Sequence, residues 1–246
     1  MIGTGFQERT YRSEVTPPEG LTSFRVVVEQ TDLWIAAERD LVAEAYESVK
    51  RHRGILKSYI ARHPEFGTSL VPMEAGVDAD GVVLSMLEAG IKADTGPMAA
   101  VAGVVAEAVA KDLARHSNTV IVENGGDLYL IGDGIRTVGI WAGSSPLSGC
   151  VGIQVDPVGG IAVCTSSGTV GPSLSFGNAD AAIITSPSGA LADAAATALG
   201  NIVKTSDDIE PSLDKFLAID GISGAVVVIG SAIGAAGEIE LTSIDS

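Results

Sequence analysis

Two hydrophobic periods alternate along the chain. Runs rich in β-branched and aromatic residues predict a hairpin over 24–38, with its turn at Gln30-Thr31-Asp32. Apolar positions three and four apart predict helices over 39–63, 78–94 and 95–116. Pro64 ends the first of these helices, and Pro97 suits the first turn of the third.

The second half of the chain repeats this change of period. We predict a hairpin over 119–131, short strands within 137–186 and an alanine-rich helix over 188–204. A last hairpin over 225–242 is expected to turn at its Gly-Ala-Ala-Gly segment. A helix is thus twice followed by a hairpin, which favours an α+β fold with mixed or antiparallel sheets, packed helices and an internal duplication.

The hydrophobic content is sufficient for one large core. Hydrophobic residues make up 46% of the 246 positions, and no linker divides them. We therefore expect a single compact domain over 1–246, with a hairpin and helices in 1–89 and the candidate motifs in 90–246. A homodimer is expected because apolar content is high and small enzymes often pair.

The charge balance limits the partners. The net charge is −16, and residues 116–246 hold fourteen acids but only Arg136, Lys204 and Lys215 as basic residues. This composition argues against general nucleic-acid binding, which needs cations to neutralise phosphates. An anionic ligand in this half would have to rely on backbone N–H groups, helix N-termini or a metal ion.

Targeting and redox signals are absent from the sequence. Its start has no apolar signal region, and no run of about 20 apolar residues predicts a membrane span. Cys150 and Cys164 are too few for a disulfide scaffold and form no zinc-binding pattern. We expect a cytoplasmic protein.

The start of the third predicted helix is a candidate phosphate site. Thr95 and Gly96 precede Pro97 and Met98, and small residues follow. Small residues would leave this N-terminus open, where orphan N–H groups and positive potential attract anions. Close packing of the helix against a sheet explains the same residues equally simply.

The segment "ENGGD" is a second candidate. Gly125 and Gly126 permit positive φ and close backbone approach, and Asn124 and Asp127 can bond to a ligand. The alternative is a tight hairpin whose acids are solvated.

A third segment, "CTSSG", follows a β-rich run. Thr165, Ser166, Ser167 and Gly168 offer hydroxyl and backbone N–H groups suited to phosphate or ribose, although no Walker A lysine follows. Cys164 is a candidate nucleophile or sulfur carrier, and the alternative is a buried packing thiol.

The alanine-rich helix supplies a fourth candidate. Asp193 and Thr197 are four residues apart, so they share one helix face, and only alanines lie between them. One carboxylate and one hydroxyl on an apolar face are typical oxygen ligands of Mg²⁺. Alternatively, Asp193 stabilises a helix dipole and Thr197 bonds back to a carbonyl.

The order of these four segments resembles the ApbE superfamily, the FAD:protein FMN transferases. The resemblance covers about 90–202 and implies roles that are otherwise only candidates. It implies a flavin-nucleotide turn at Gly125, Gly126 and Asp127, a Thr-Ser-Gly loop at Thr165, Ser166 and Gly168 with one extra serine, and Mg²⁺ ligands at Asp193 and Thr197.

The chain also departs from the family pattern. The Lys-Gly segment expected at the helix start is "GPMAAVAG" here, and the histidine segment expected after the Thr-Ser-Gly loop is "GPSLSFGNADAA". The chain is most similar to a short cytoplasmic branch of the superfamily, which implies a link to sulfur mobilisation for homocysteine synthesis.

Three functional hypotheses follow. The first is binding of FAD, FMN or another nucleotide with Mg²⁺, with phosphoryl or FMN transfer in which Asp193 is catalytic. The second is a persulfide relay on Cys164 or Cys150, which needs a thiol of lowered pKa. The third is a ligand-binding accessory protein without catalysis.

Overall fold

An eight-stranded antiparallel sheet forms the middle layer of the protein, with helices on one face and a three-stranded sheet on the other. The structure is a computed structural model that describes residues 18–167 and 177–244. The helices are α1 (Val42–Arg62), α2 (Val82–Ala93), α3 (Val101–Leu113), α4 (Gly189–Ile202) and α5 (Ile209–Leu217). The strands are β1 (Thr22–Val28), β2 (Thr31–Ala37), β3 (Val120–Asn124), β4 (Asp127–Ile131), β5 (Arg136–Gly139), β6 (Val151–Val155), β7 (Ile161–Ser166), β8 (Ala181–Ser186), β9 (Gly224–Ile229), β10 (Ala232–Gly237) and β11 (Glu240–Ser243).

The large sheet separates two hydrophobic cores. Its strand order is β1-β2-β3-β4-β7-β8-β9-β10, and the small sheet has the order β11-β6-β5. Because side chains alternate along a strand, Val120 and Val122 of β3 enter the helix-side core, whereas Ile121 packs towards the small sheet. The same alternation directs Tyr129 to the helices and Leu130 to the small sheet.

The predicted α+β class with antiparallel sheets is confirmed. The chain twice runs through a hairpin, helices and a second hairpin, first over β1 to β4 and then over β7 to β10. The two series join where β4 pairs with β7. This repeated element order supports the predicted internal duplication, which stays a prediction at the level of residues.

The end of the chain differs from expectation. The last hairpin turns at Gly230 and not at the Gly-Ala-Ala-Gly segment, which lies inside β10. The sequence pattern also missed α5. The two errors are connected, because Gly234 lies directly beneath Ile209 and Leu213 of α5. This glycine permits close packing of a helix on a strand rather than a turn.

The third predicted helix is divided. A 3-10 turn over Pro97–Ala100 precedes α3, which begins at Val101. Within 18–167 and 177–244, none of the helices has the length and apolar character that would let it cross a membrane.

Candidate functional site

The helices α3 and α4 meet at their N-terminal turns through two glycines. A Cβ atom added to Gly103 would overlap the carbonyl oxygen of Gly189, and one added to Gly189 would overlap that of Gly103. Each helix also supplies an acid to the other. Asp193 Oδ2 accepts the N–H of Gly103 at 2.8 Å, and Glu107 Oε2 accepts the N–H of Gly189 at 2.7 Å. Two helix N-termini, with their positive potential, therefore converge on carboxylates.

The "ENGGD" segment forms a two-residue hairpin loop beside this crossing. Gly125 and Gly126 both adopt positive φ, 72° and 102°, as such tight loops require. The N–H of Gly126 donates to Glu123 Oε1 at 2.8 Å, and the Asn124 side-chain amide donates to the Ala102 carbonyl at 3.1 Å. The hairpin is thereby fastened to the start of α3.

The alternative in which the acids of this hairpin are solvated does not hold. Glu123 is 5% exposed and Asp127 is 6% exposed. Period-two alternation on β3 and β4 carries Glu123 towards the small sheet and Asp127 towards the helices. No side chain or backbone of the described residues occupies the space into which a Cβ of Gly126 would project, so the loop backbone stays accessible there.

Asp127 connects the hairpin to the third candidate segment. Its Oδ1 accepts the N–H of Thr165 at 3.2 Å. Burial raises the pKa of Asp127 well above its usual range, and the nearby charge of Asp193 raises it further. The Thr165 amide only partly offsets this rise.

Asp193 lies close enough to Asp127 for the two carboxyl groups to repel. Burial raises the pKa of Asp193 to about 7, against the opposing hydrogen bonds from the Gly103 and Ala102 amides. Among the residues described, no lysine, arginine or histidine contributes to either pKa. The pair therefore depends for compensation on backbone N–H groups and, at Asp127, on a hydrogen bond from the Cys164 thiol.

The structure brings together most of the four candidate segments. Asn124 and Asp127, Thr165 at the end of β7, and Asp193 on α4 all surround the start of α3. Thr197 lies one turn beyond Asp193 and is partly buried, as are Ser166 and Ser167. Gly168 lies outside the described residues.

The start of the third predicted helix is less open than expected. Gly96 and Pro97 are buried, and the backbone of Ser69 and Leu70 lies directly against Gly96. The turn over Pro97–Ala100 packs on α2 and α4, and Met98 is partly exposed. The expectation of an uncovered N-terminus is wrong at Gly96, because a chain segment distant in sequence covers it. A cofactor role for these residues stays a prediction.

Cys164 is buried within the same cluster. Its Sγ lies 3.8 Å from the Gly189 carbonyl oxygen. Burial raises the pKa of this thiol well above its usual value, and the charges of Asp127 and Asp193 raise it further. A persulfide carrier requires the opposite shift, so the structure gives the sulfur hypothesis no support at Cys164. Cys150 is exposed.

The donor set limits which metal ion the cluster suits. No group of three or more histidine, cysteine, aspartate or glutamate side chains is arranged to hold a metal within 18–167 and 177–244. Asp127, Asp193 and Thr197 offer only oxygen ligands beyond the protein backbone. Mg²⁺ commonly binds one or two carboxylates and completes its shell with water and substrate phosphates. These residues fit a Mg²⁺ shared with a ligand, and they do not fit an all-protein metal cage.

Sequence reasoning missed Gly103, Glu107 and Gly189. A signal was present, because Gly103 precedes Glu107 by four residues and Gly189 precedes Asp193 by four. A small residue and an acid at this spacing lie on one helix face, as a reciprocal helix contact needs. Nothing in the sequence indicated that the two faces meet.

Comparison with known proteins identifies the relatives of this chain. A family model described as AbpE bacteria matches residues 13–229. A UPF0280 protein of Methanocella arvoryzae is 41% identical over 214 residues, covering 86% of this chain and 87% of that protein. A UPF0280 protein of Methanosarcina acetivorans is 43% identical over 219 residues, covering 86% and 85%.

Solved structures share the fold at low identity. The ApbE protein of Thermotoga maritima superposes with a TM-score of 0.55 at 14% identity, covering 88% of this chain and 97% of that one. The flavinyl transferase ApbE of Pseudomonas stutzeri gives 0.50 at 14% identity, covering 88% and 94%. The fold is therefore that of ApbE proteins. From the span of the family match and the identity to its relatives, the chain belongs to the AbpE bacteria family, within the ApbE-like superfamily.

Proposed function

We propose that this protein binds a flavin or another nucleotide together with Mg²⁺ where α3 and α4 cross, and that its chemistry is of the flavin-transfer type. The observation that carries the proposal is the Asp127–Asp193 pair. Two acids from separate candidate segments lie together, Asp127 buried and Asp193 partly buried, and no basic side chain of the described residues shifts the pKa of either.

Electrostatics explain why a cation suits this place. Burying a charge without a partner is costly, and like charges close together cannot both ionise easily. A divalent cation would remove both penalties, and it would also neutralise part of the negative charge of a nucleotide's phosphates. An anionic ligand that bound without a cation would be repelled by the two acids.

The surrounding residues have distinct roles in this proposal. Asp193 and Thr197 hold the ion from one face of α4, and Asp127 adds a carboxyl group from the hairpin. Gly126 offers partly exposed backbone to the ligand, and Thr165 orients Asp127 through its amide. Bound Mg²⁺ would supply charge neutralisation at the phosphates during transfer.

Two structural neighbours, a flavinyl transferase and an ApbE protein, favour a flavin over other nucleotides. Because the Lys-Gly segment of the family is replaced in this chain, the protein could bind a nucleotide without catalysing transfer. Binding is therefore tested first. Transfer of FMN to a protein acceptor is then measured only for a nucleotide that binds.

The experiment is a thermal-shift series with FAD, FMN, ADP and ATP, each with and without Mg²⁺. A ligand that binds only the folded protein stabilises it by mass action and so raises its melting temperature. At a ligand concentration of 100 times Kd, the free energy of unfolding rises by about 2.7 kcal/mol. We expect a Mg²⁺-dependent rise with a flavin nucleotide, larger than the rise with Mg²⁺ alone. Equal melting temperatures under all conditions at millimolar ligand would overturn the proposal.

A further inference from the structure

The two edges of the large sheet differ in charge. The edge strand β1 carries Arg25 at its centre, and this side chain is 59% exposed and paired with Asp32. The opposite edge strand, β10, contains only alanine, glycine and one isoleucine. It lies within 221–237, a stretch without any charged residue or proline in a chain of net charge −16. Natural edges are usually protected by charge, proline or a bulge, and β10 has none of the first two.

The register of the last hairpin shows which backbone groups of β10 form no hydrogen bond to β9. Ala232 pairs with Ile229 across the two-residue turn, and pairing continues to Gly237 opposite Gly224. In such a ladder, alternate residues bond to the partner strand. Ala232, Gly234 and Ala236 therefore bond to β9, and Ile233 and Ala235 direct their N–H and C=O groups outward. No strand of the described residues pairs with this side of β10.

The outward groups of β10 are self-complementary. If a second β10 runs antiparallel about a twofold axis through Gly234, Ile233 of each copy faces Ala235 of the other. Each such pair exchanges two hydrogen bonds, so the contact closes with four. The two Gly234 residues then face each other at the axis, where side chains come closest and glycine adds no bulk.

The absence of charge on the β10 edge favours a second copy of this chain as the partner that pairs with it. Two molecules of net charge −16 repel, and this repulsion is smallest where a surface carries no charge. The β10 edge offers a basic or acidic partner no countercharge at all. The same pairing through β1 would bring two Arg25 side chains close together, and like charges across strands are destabilising.

We propose that the protein forms a homodimer by antiparallel pairing of β10 with β10 of a second copy, giving one sheet continuous across both. This inference is independent of the nucleotide site. Six-residue strands bury less than the roughly 1,200 Å² of standard interfaces, so the dimer is expected to dissociate at micromolar concentration. Added salt should strengthen it by screening the repulsion.

The test is sedimentation velocity of the full chain from about 1 to 300 μM at low and physiological salt, a range spanning the affinity of weak interfaces. Ala235→Pro removes an outward N–H without removing a bond to β9, and Ala235→Lys introduces repulsion across the axis. Ser23→Pro is the matched control, because the register of β1 also directs the Ser23 N–H outward. Circular dichroism confirms the folding of each variant.

We expect the wild type and Ser23→Pro to dimerise with the same Kd, and both Ala235 variants to weaken the dimer at least tenfold. If Ala235→Pro fails to fold, Ala235→Lys alone gives the result. A wild type that stays monomeric over the whole range would refute the proposal, as would a dimer that Ala235→Lys leaves unchanged.

Discussion

Two partly buried carboxylates lie at opposite ends of α3, and they are held in opposite ways. Asp112, near the C-terminal end of α3, accepts hydrogen bonds from Ser48 at 2.6 Å and from His52 at 2.9 Å, and it also pairs with Arg51. Asp193 contacts the N-terminal end of the same helix, where the described residues offer it backbone N–H groups and a second acid.

Their pKa values move in opposite directions. Burial alone would raise the pKa of Asp112, but the hydrogen bonds from Ser48 and His52 bring it below its usual value. Burial raises the pKa of Asp193 to about 7, and two amide bonds do not reverse this. Asp112 thus has the surroundings of a structural ion pair, whereas no basic side chain of the described residues offsets the charge of Asp193. Perturbed pKa values of the second kind are enriched at functional sites.

The pH dependence of stability should show the difference most strongly. The folded pKa of Asp193 is raised, so the folded protein keeps a proton that the unfolded chain releases above about pH 4. Its charge therefore costs stability increasingly from pH 4 to 7 and by a constant amount above 7. At about 1.4 kcal/mol per pKa unit, the shift lowers the free energy of unfolding above pH 7 by an amount on the order of 4 kcal/mol.

Asp193→Asn should reduce this slope to the part that burial of Asp127 contributes, while keeping an acceptor for Gly103, so the variant gains stability over the wild type at pH 8 relative to pH 5. Urea unfolding at both pH values measures the change, with Asp214→Asn on the exposed face of α5 as the control. Parallel slopes in wild type and Asp193→Asn would contradict the assigned pKa.

Asp112→Asn should act in the other direction. The lowered pKa of Asp112 stabilises the folded state above the unfolded pKa, and this stabilisation is lost as pH falls through the folded value. Loss of hydrogen bonds to a charged group costs about 1.5–3 kcal/mol, so the variant should be destabilised at pH 7 and much less so near pH 3. Urea unfolding at pH 7 that matches the wild type would remove the contrast with Asp193.

The crossing of α3 and α4 gives the third test. Gly103→Ala places a methyl group against the Gly189 carbonyl and the Asp193 Cβ, and overpacking of this kind costs about 1–3 kcal/mol. Gly54→Ala is the matched control, because Gly54 lies exposed in α1 with no atom near its Cβ position. It should stabilise by about 0.5–1 kcal/mol through helix propensity. Thermal unfolding that shifts equally for both variants would show that the crossing is not tightly packed.

Local patterns allowed much of the fold to be predicted. The strands of the first hairpin, the "ENGGD" hairpin and the helix that begins at Gly189 follow from period and turn residues, which act over a few positions. The predicted turn of the first hairpin at Gln30-Thr31-Asp32 is wrong, because Thr31 already pairs with Val28 and the chain turns one residue earlier. The Gly-Ala-Ala-Gly segment was misplaced because its glycines serve contact with α5, a tertiary reason that local sequence does not show. The helix α5 was missed for the same reason.

The candidate site was predictable only in part. Order and resemblance indicated Asp127 and Asp193, and the structure places them together. Glu107 and Gly103 could not be found, because their importance depends on a crossing between helices some 80 residues apart. The covering of Gly96 by Ser69 and Leu70 is likewise a long-range packing effect.

Titration calorimetry on Asp193→Asn is the most direct measurement of the central claim, that a cation and a nucleotide complete the Asp127–Asp193 pair. Wild type, Asp193→Asn and Asp214→Asn are each titrated with FAD in the presence and absence of Mg²⁺. The account predicts Mg²⁺-dependent binding to wild type and Asp214→Asn, and a loss of at least about 100-fold in Asp193→Asn, since even residues beyond the metal ligands change affinity by 10–100-fold. Equal affinity in all three proteins would contradict it.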